Sequence, residues 1–523
     1  MRLFYTVLYF LFIAYSVCIG QTNFQYTITP ALQNNGMSIG NAVVQTLDSG
    51  FVIVGSKEDF SIMEIQTFQA KINKSGTLQW SNAFSTGYYN GSLCVDRCAD
   101  GGTISTGFVH SHGGNPPDQL SILKTDSFGS IQWSSILQGI YMETCNSIKE
   151  NKDGSFVLST TTSSAGIGLS DIGIIKLNNS GTFLFQKAYG GPAEDVGNYI
   201  TETNDSGFIV CGSTMSFSGH NMYLLKLNTQ GDTLWTKEII GTGITEGMMV
   251  QQTSDSGFVV VGYPKLNGGN NPVSYIVKTN SSGDAIWAKK FSSPPGIMFT
   301  SIRLAADNGF DIGGALGINS ENTFLLHLNS SGDTLWTRKY DFGKSQVPGN
   351  TFQKTFDNNY IIAGYGGAGQ SLGAFIAKTD STGRLECNQS FLTLNIDTVN
   401  AVSLSCATTN LNYSLTTTLQ SFFKISSDSI LFDVCGLSST GPIQVPNNLS
   451  IFPNPAMDQF IISNLKGDSQ IEIFNLLGEN IYSASANREL CFVKCISFPT
   501  GIYFVIVTNA SNEKATRKVA IYH

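Results

Sequence analysis

A Gly followed four residues later by an aromatic recurs along this chain every 49 to 53 residues: Gly76/Trp80, Gly129/Trp133, Gly181/Phe185, Gly231/Trp235, Gly283/Trp287 and Gly332/Trp336. Gly383/Cys387 continues the series without its aromatic, and all five tryptophans occupy this one position. A fixed period of this length marks a solenoid, propeller or array, because one such unit cannot bury its apolar face alone and must stack on copies of itself.

Two further landmarks keep the same period. A turn appears as Asp48-Ser49-Gly50, Asp100-Gly101-Gly102, Asp153-Gly154, Asp205-Ser206-Gly207, Asp255-Ser256-Gly257, Asp307-Asn308-Gly309 and Asp357-Asn358-Asn359. In such a turn Asp bonds its own backbone, and the Gly is expected to supply the positive φ. A cation follows in the third strand: Lys71, Lys124, Lys176, Lys226, Lys278, His327 and Lys378. Between these marks lie short apolar runs such as Phe208-Ile209-Val210-Cys211 and Tyr223-Leu224-Leu225, which read as strands. Four strands per unit and seven units predict a seven-bladed β-propeller over residues 21–390, since ring closure protects sheet edges. The strand before each Asp turn is expected innermost and the Trp strand outermost. A strand near Phe24–Ile28 is expected to complete the last blade.

Composition supports an all-β extracellular chain: charged residues make up 13%, with 54 glycines. A net charge of −8 without a basic patch argues against nucleic acid or an anionic membrane surface as partner. Residues 1–20, with Arg2, an apolar run from Leu3 to Ala14 and small residues Cys18 and Gly20, read as a signal peptide for the Sec translocon. No later run is long and apolar enough for a transmembrane anchor. Nine cysteines then remain, an odd number at differing repeat positions, which favours buried thiols or local bridges over a disulfide framework.

The two ends of the blades differ. The Asp and Asn-x-x-Gly turns are short, whereas the loops between second and third strands vary, and binding usually resides on variable loops of a rigid scaffold. The loop face is therefore expected to be the working face, with the channel opening onto it. Its candidate ligand-binding residues are His110, His112 and Asp118 in the longest such loop, with Glu143, Glu194, Asp195 and Glu246 in the inter-blade connections. Acidic residues there suit sugar hydroxyls or Ca²⁺, which prefers oxygen ligands. No catalytic residue, cofactor or transition-metal site is assigned, as no nucleophile-elbow, zinc or phosphate-loop motif occurs.

After Cys387 the period stops. Residues 391–446, rich in Ser, Thr and Asn, read as a β-rich spacer, and 447–523 as a small β-sandwich. That module contains Ile451-Phe452-Pro453-Asn454-Pro455, Ile471-Glu472-Ile473-Phe474-Asn475 running to Gly478, and Gly501-Ile502-Tyr503 before a basic-apolar end. These features closely resemble the type A C-terminal sorting domain of the type IX secretion system. Cys491 and Cys495 are unusual for that family. The resemblance implies carriage across the outer membrane by the type IX machinery, removal of the domain by a sortase-like peptidase, and a secreted or surface-attached product. The repeats resemble propeller-like arrays of secreted proteins of Bacteroidetes-type bacteria. They share a Gly-x-x-x-Trp turn with pyrroloquinoline-quinone-type propellers, without their eight blades or vicinal cysteines. The leading functional expectation is a secreted or cell-surface protein binding an extracellular glycan or protein. The alternative is a polysaccharide hydrolase or lyase using acidic residues at the channel.

Overall fold

In the computed structural model the chain forms two units, residues 1–435 and 436–523. The described residues lie between Asn23 and Ile521, excluding 31–36, 60–63, 111–118, 140, 142, 242, 265–271, 318–321, 343–351, 367–372, 386–388, 414, 418–421, 427–428, 434–449, 453–455, 457, 464, 466–467, 476–478, 488–489 and 510–513. Residues 1–22, with the expected signal peptide, lie outside them, as do Cys387 and Cys435.

Unit one holds seven antiparallel sheets, each a blade of the predicted propeller. Blade 4 is typical: Asp195–Glu202 innermost, then Phe208–Thr214, Asn221–Leu227 and Thr233–Ile240. Inner strands of successive blades touch in sequence, and that of blade 7, Phe352–Lys354, returns to that of blade 1, Met37–Gln45, so the ring closes. Blade 7 takes its fourth strand from the N-terminal end, where Phe24–Pro30 pairs with Gly373–Thr379. The missing aromatic after Gly383 is explained by this exchange. Phe24 faces Lys378 in the register by which Trp235 faces Lys226, so Phe24 fills the seventh tryptophan position.

The repeated residues are the joints of the ring. Each Gly of the Asn-x-x-Gly turn has a positive φ, as at Gly231 (76°) and Gly283 (79°). A Cβ on Gly283 would stand 2.7 Å from the Trp235 ring of the preceding blade, and Gly129, Gly181, Gly231, Gly332 and Gly383 receive the preceding aromatic in the same way. Trp133 Nε1 also donates to the Asn179 carbonyl across that joint (3.1 Å). The third-strand cations pair with the Asp turns of their own blades, from Lys71–Asp48 (2.7 Å) to Lys378–Asp357 (2.6 Å), His327–Asp307 included. In these turns the left-handed residue is the middle one, Ser49, Ser206, Ser256, Asn308 or Asn358, with Gly101 and Gly154 in blades 2 and 3. The following Gly has a different cause from the one expected: a Cβ on Gly207 would lie 2.3 Å from the Leu227 carbonyl oxygen.

Residues 389–433 are not a spacer. They run backwards round the ring and add a fifth, outermost strand to every blade, in the order 6, 5, 4, 3, 2, 1, 7. The Trp strand is therefore fourth, not outermost. The residue four places after each docking aromatic is the register mark: Tyr340, Phe291, Ile239, Tyr189, Leu137, Phe84 and Ile28. These pair with Gln389, Ile396, Ser403, Asn410, Thr417, Lys424 and Leu431. Seven residues of belt thus serve each blade without one exception. Leu392, Tyr413, Leu415 and Phe422 point inward from it and join the core of the blades. The last belt strand, Ser429–Asp433, pairs with Phe24–Pro30 and so covers the strand that closes the ring.

Unit two consists of a three-stranded sheet, with Ser450–Phe452, Gln459–Ser463 and Leu490–Lys494, and a four-stranded one. The latter orders Asn480–Ala486, Ser469–Phe474, Gly501–Thr508 and Lys514–Ile521. Phe460, Ile462 and Val493 of the first share a core with Ile471, Ile473, Val505 and Val519 of the second, which makes the expected sandwich. Tyr503 is buried in that core and donates to the Pro499 carbonyl (2.6 Å), while Gly501 opens its strand. Pro453, Asn454, Pro455 and Gly478 lie outside the described residues. The described cysteines are all free thiols, with Cys94, Cys98, Cys145, Cys211 and Cys495 buried.

A strand shifted by one residue turns its inward side chains outward. Deleting Asn400, between belt strands Asn395–Val399 and Val402–Ser405, is expected to destabilise the full chain by on the order of 2–5 kcal/mol, as for loss of buried apolar side chains. Substituting Asn400→Gly keeps the spacing and is expected to cost no more than about 1 kcal/mol. Urea unfolding of both variants measures the difference, and equal stabilities would show that the register does not hold the belt.

Candidate ligand-binding cavity

The channel is built by one position of each inner strand. Four residues before the Asp of each Asp turn stand Val44, Asp96, Lys149, Thr201, Gln251, Arg303 and Gln353, one per blade, and all seven line a cavity of about 930 Å³. Its mouth is formed by Ala99, Asn151, Lys152, Asp153 and Gly154, which belong to Asp turns. This cavity opens on the short-turn face, opposite to the loop face that the sequence pointed to. Its volume lies within the ~300–1,000 Å³ typical of small-molecule sites.

Alternation along a strand sends the next residue of each inner strand toward the neighbouring blade. There Glu150 accepts the Ala99 N–H (2.7 Å), Glu202 that of Lys152 (2.8 Å), Gln252 that of Asn204 (2.8 Å) and Gln45 that of Phe356 (2.6 Å). Each side chain staples its own blade to the turn of the one before. The acids at the cavity mouth are therefore committed to backbone donors. Deeper in, Lys149 Nζ pairs with Asp96 (3.0 Å), whose other oxygen accepts the Glu150 N–H (3.0 Å). Burial works against the Lys149 ammonium, but Asp96 and Tyr199 outweigh it and hold its pKa above the usual lysine value. Lys354 pairs with buried Asp311 (3.1 Å). Arg303 donates to the Ile302 carbonyl (2.9 Å) and lies over the Phe352 ring (5.7 Å).

Of the sequence-predicted residues, the described ones, His110, Glu143, Glu194, Asp195 and Glu246, occupy the opposite end of the blades and do not form one cluster. His110 ends its strand beside Phe108, with ring centroids 4.6 Å apart, and His112 and Asp118 lie outside the described residues. Glu143 is buried, with Oε1 accepting from Thr162 (2.9 Å) and Oε2 without a hydrogen-bond partner among the described residues. Asp195, also buried, accepts from the Gly191 N–H (2.8 Å) and Ser216 Oγ (2.6 Å). Glu194 precedes it and forms a backbone bridge with Ser170, while Glu246, ahead of blade 5, faces His220 of blade 4 (3.8 Å). Among the described residues no three His, Cys, Asp or Glu side chains converge as a metal would require. Sequence reasoning missed the channel set because only Gln251 and Gln353 share a residue type among its seven members. A fixed offset from the Asp turn was the signal available for finding them.

Burial pushes Glu143 up to about 7, against hydrogen bonds from Ser164 and Thr162. Burial likewise raises Asp171 to about 6, opposed by the Gly168 N–H and reinforced by Asp195. The folded state then binds more protons than the unfolded one between the two pKa values, so stability falls as pH rises through that window. For Glu143 the window runs from its ordinary 4.5 to about 7, and the full effect is on the order of 3 kcal/mol. Glu143→Gln is expected to match the parent below pH ~4.5 and to exceed its stability by that order above pH ~7. Urea midpoints across the range check this, and a pH-independent difference would refute it.

Residues 450–522 match the family model of the secretion system C-terminal sorting domain. No curated protein matches the chain in sequence. Among solved structures it is similar to PorZ, a surface component of the type-IX secretion system of Porphyromonas gingivalis, at 10% identity and a TM-score of 0.35. That similarity covers 91% of this chain but 58% of PorZ, so the chain spans little more than half of that protein's length. It is also similar to the GH93 α-L-arabinofuranosidase of Fusarium graminearum, at 10% identity and a TM-score of 0.39, covering 69% of this chain and 98% of the enzyme. No helix among the described residues is long and apolar enough to cross a membrane. Behind its seven-bladed propeller, then, the chain carries a type IX secretion system C-terminal sorting domain, the label of a protein exported to the cell surface or beyond.

Proposed function

We propose that the propeller is a binding module for an extracellular glycan, displayed or released after a sortase-like peptidase of the type IX machinery removes the sorting domain. The observation that carries this reading is the cavity ringed by seven side chains of six kinds, one from each blade. Thr201, Gln251 and Gln353 offer neutral donors and acceptors, Tyr199 an aromatic wall, and the charged groups an orienting field. Glycoside hydrolysis needs two carboxylates free to act on the scissile bond. Asp96, Glu150 and Glu202 instead hold an ammonium or a neighbouring backbone N–H, which favours binding over cleavage. The raised carboxyls Glu143 and Asp171 are not among the cavity's lining residues.

A glycan array probed with the full chain is expected to show retention of a saccharide with no release of reducing ends in a parallel degradation assay. Thr201→Trp, which fills the cavity, is expected to weaken retention at least tenfold, equivalent to about 1.4 kcal/mol, while leaving the unfolding midpoint nearly unchanged. Reducing-end release that disappears in Asp96→Asn would instead make the protein a hydrolase or lyase.

A further inference from the structure

The floor of the cavity has more positive charge than its fold requires. Lys149, Tyr199, Arg303 and Gln353 line both the main cavity and a water-sized one of about 20 Å³. They therefore mark the constriction between the two. Lys149 and Arg303 come from blades 3 and 6 and face the same small cavity, where Arg303 opposes the charging of Lys149. One carboxylate serves this pair. Asp96 spends one oxygen on Lys149 and the other on the Glu150 N–H. No carboxylate among the described residues ion-pairs with Arg303. Among the described residues, its guanidinium bonds only from Nη1, to the Ile302 carbonyl and the Met249 thioether. A guanidinium carries five N–H donors in a planar fork, so most of this one remains to be used.

The rest of the lining sharpens the contrast. It contains five cations, Arg97, Lys149, Lys152, Arg303 and Lys354, against four acids, in a chain whose net charge is −8. Three of those acids, Asp96, Glu150 and Glu202, each accept a backbone N–H, and the fourth, Asp153, is held by Lys176. Each acid thus already has a partner within the scaffold, whereas guanidinium donors of Arg303 at the floor remain to be used. Leaving two like charges in a partly buried site costs stability that a fold gains nothing by retaining. A bound anion cancels that repulsion.

We infer that Arg303 and Lys149 hold the carboxylate of an acidic saccharide, a uronate residue, at the floor of the channel. Arg303 offers its fork to the two carboxylate oxygens, and Lys149 supplies a point charge from the facing side. Gln251, Gln353 and Thr201 then meet ring hydroxyls above the carboxylate. This assignment rests on the glycan-binding reading and names the class of glycan.

The test is calorimetric titration of the full chain with trimers of galacturonate, glucuronate and mannuronate, beside their methyl esters and maltotriose. At least one uronate trimer is expected to bind, with its methyl ester and maltotriose at least thirtyfold weaker and affinity falling as salt is raised. Arg303→Gln is expected to lower that affinity about thirtyfold or more, the loss typical of removing one partner of a buried charge pair. Lys149→Met gives a second reading that does not touch the guanidinium, and unfolding midpoints confirm that both variants fold. Equal binding of ester or maltotriose, or an undiminished affinity in folded Arg303→Gln, would overturn the uronate assignment while leaving glycan binding intact. Absence of binding to every saccharide, here and on the array, would overturn both.

Discussion

Everything in this propeller depends on an aromatic ring resting on a glycine of the next blade. The glycine must be left-handed to make its turn, and it must lack a Cβ so that the ring can approach. A Cβ at Gly129, Gly181, Gly231, Gly283, Gly332 or Gly383 would meet the ring of the preceding blade at about van der Waals overlap, 3.0 Å or less. One residue type therefore meets two demands, a conformational and a steric one. Because each joint links a blade to its successor, a chain of six joints leaves one gap. Phe24 closes it, packing edge-on against Phe51 of blade 1 with centroids 6.0 Å apart. The same geometry joins Trp235 to Phe258 (5.8 Å).

Closure by a terminal strand creates a weak point, since an edge strand is held by a ladder on one side only. The belt removes it. Ser429–Asp433 pairs with the outer edge of Phe24–Pro30, so the closing strand lies between two partners. The belt can reach it only after passing six other blades, and its constant seven-residue step shows that the step is set by the ring. At ~3.3 Å per residue, seven residues span roughly 23 Å, enough to cross from one outer edge to the next. A belt of any other period would drift out of register within two blades. The seven edges that a ring leaves exposed at its rim are thereby paired as well.

Periodicity made the blade number, the N-terminal closing strand and the innermost strand legible in the sequence, and the sorting domain was legible from its own motifs. The belt was not. Its inward positions, Leu392, Val399, Cys406 and Tyr413, do recur every seven residues, but they change size and polarity to suit each gap. The outward positions include exposed Val402 (57%) and Leu404 (43%), which blurs the alternation further. Amid Ser, Thr and Asn such a pattern reads as an unstructured connection. The cavity lies away from the expected face for a related reason. Loop length marks where a scaffold tolerates change, whereas the cavity is made by strand residues on the face whose turns do not vary.

A repeat protein offers its own internal comparison, and this one shows how to use it. Seven copies of the same scaffold problem yield the same answer wherever the residue serves the scaffold: Asp in the turn, a cation in the third strand, Gly under an aromatic ring. The position that lines the channel is occupied by Val44, Asp96, Lys149, Thr201, Gln251, Arg303 and Gln353. Packing cannot explain that diversity, because the seven sites are equivalent in the fold. Whatever selects among valine, glutamine, lysine and arginine at equivalent sites must distinguish one blade from another, and the ring's symmetry does not. The Asp96–Lys149 ion pair distinguishes blades 2 and 3, and an asymmetric ligand on the axis, as proposed above, would distinguish the others.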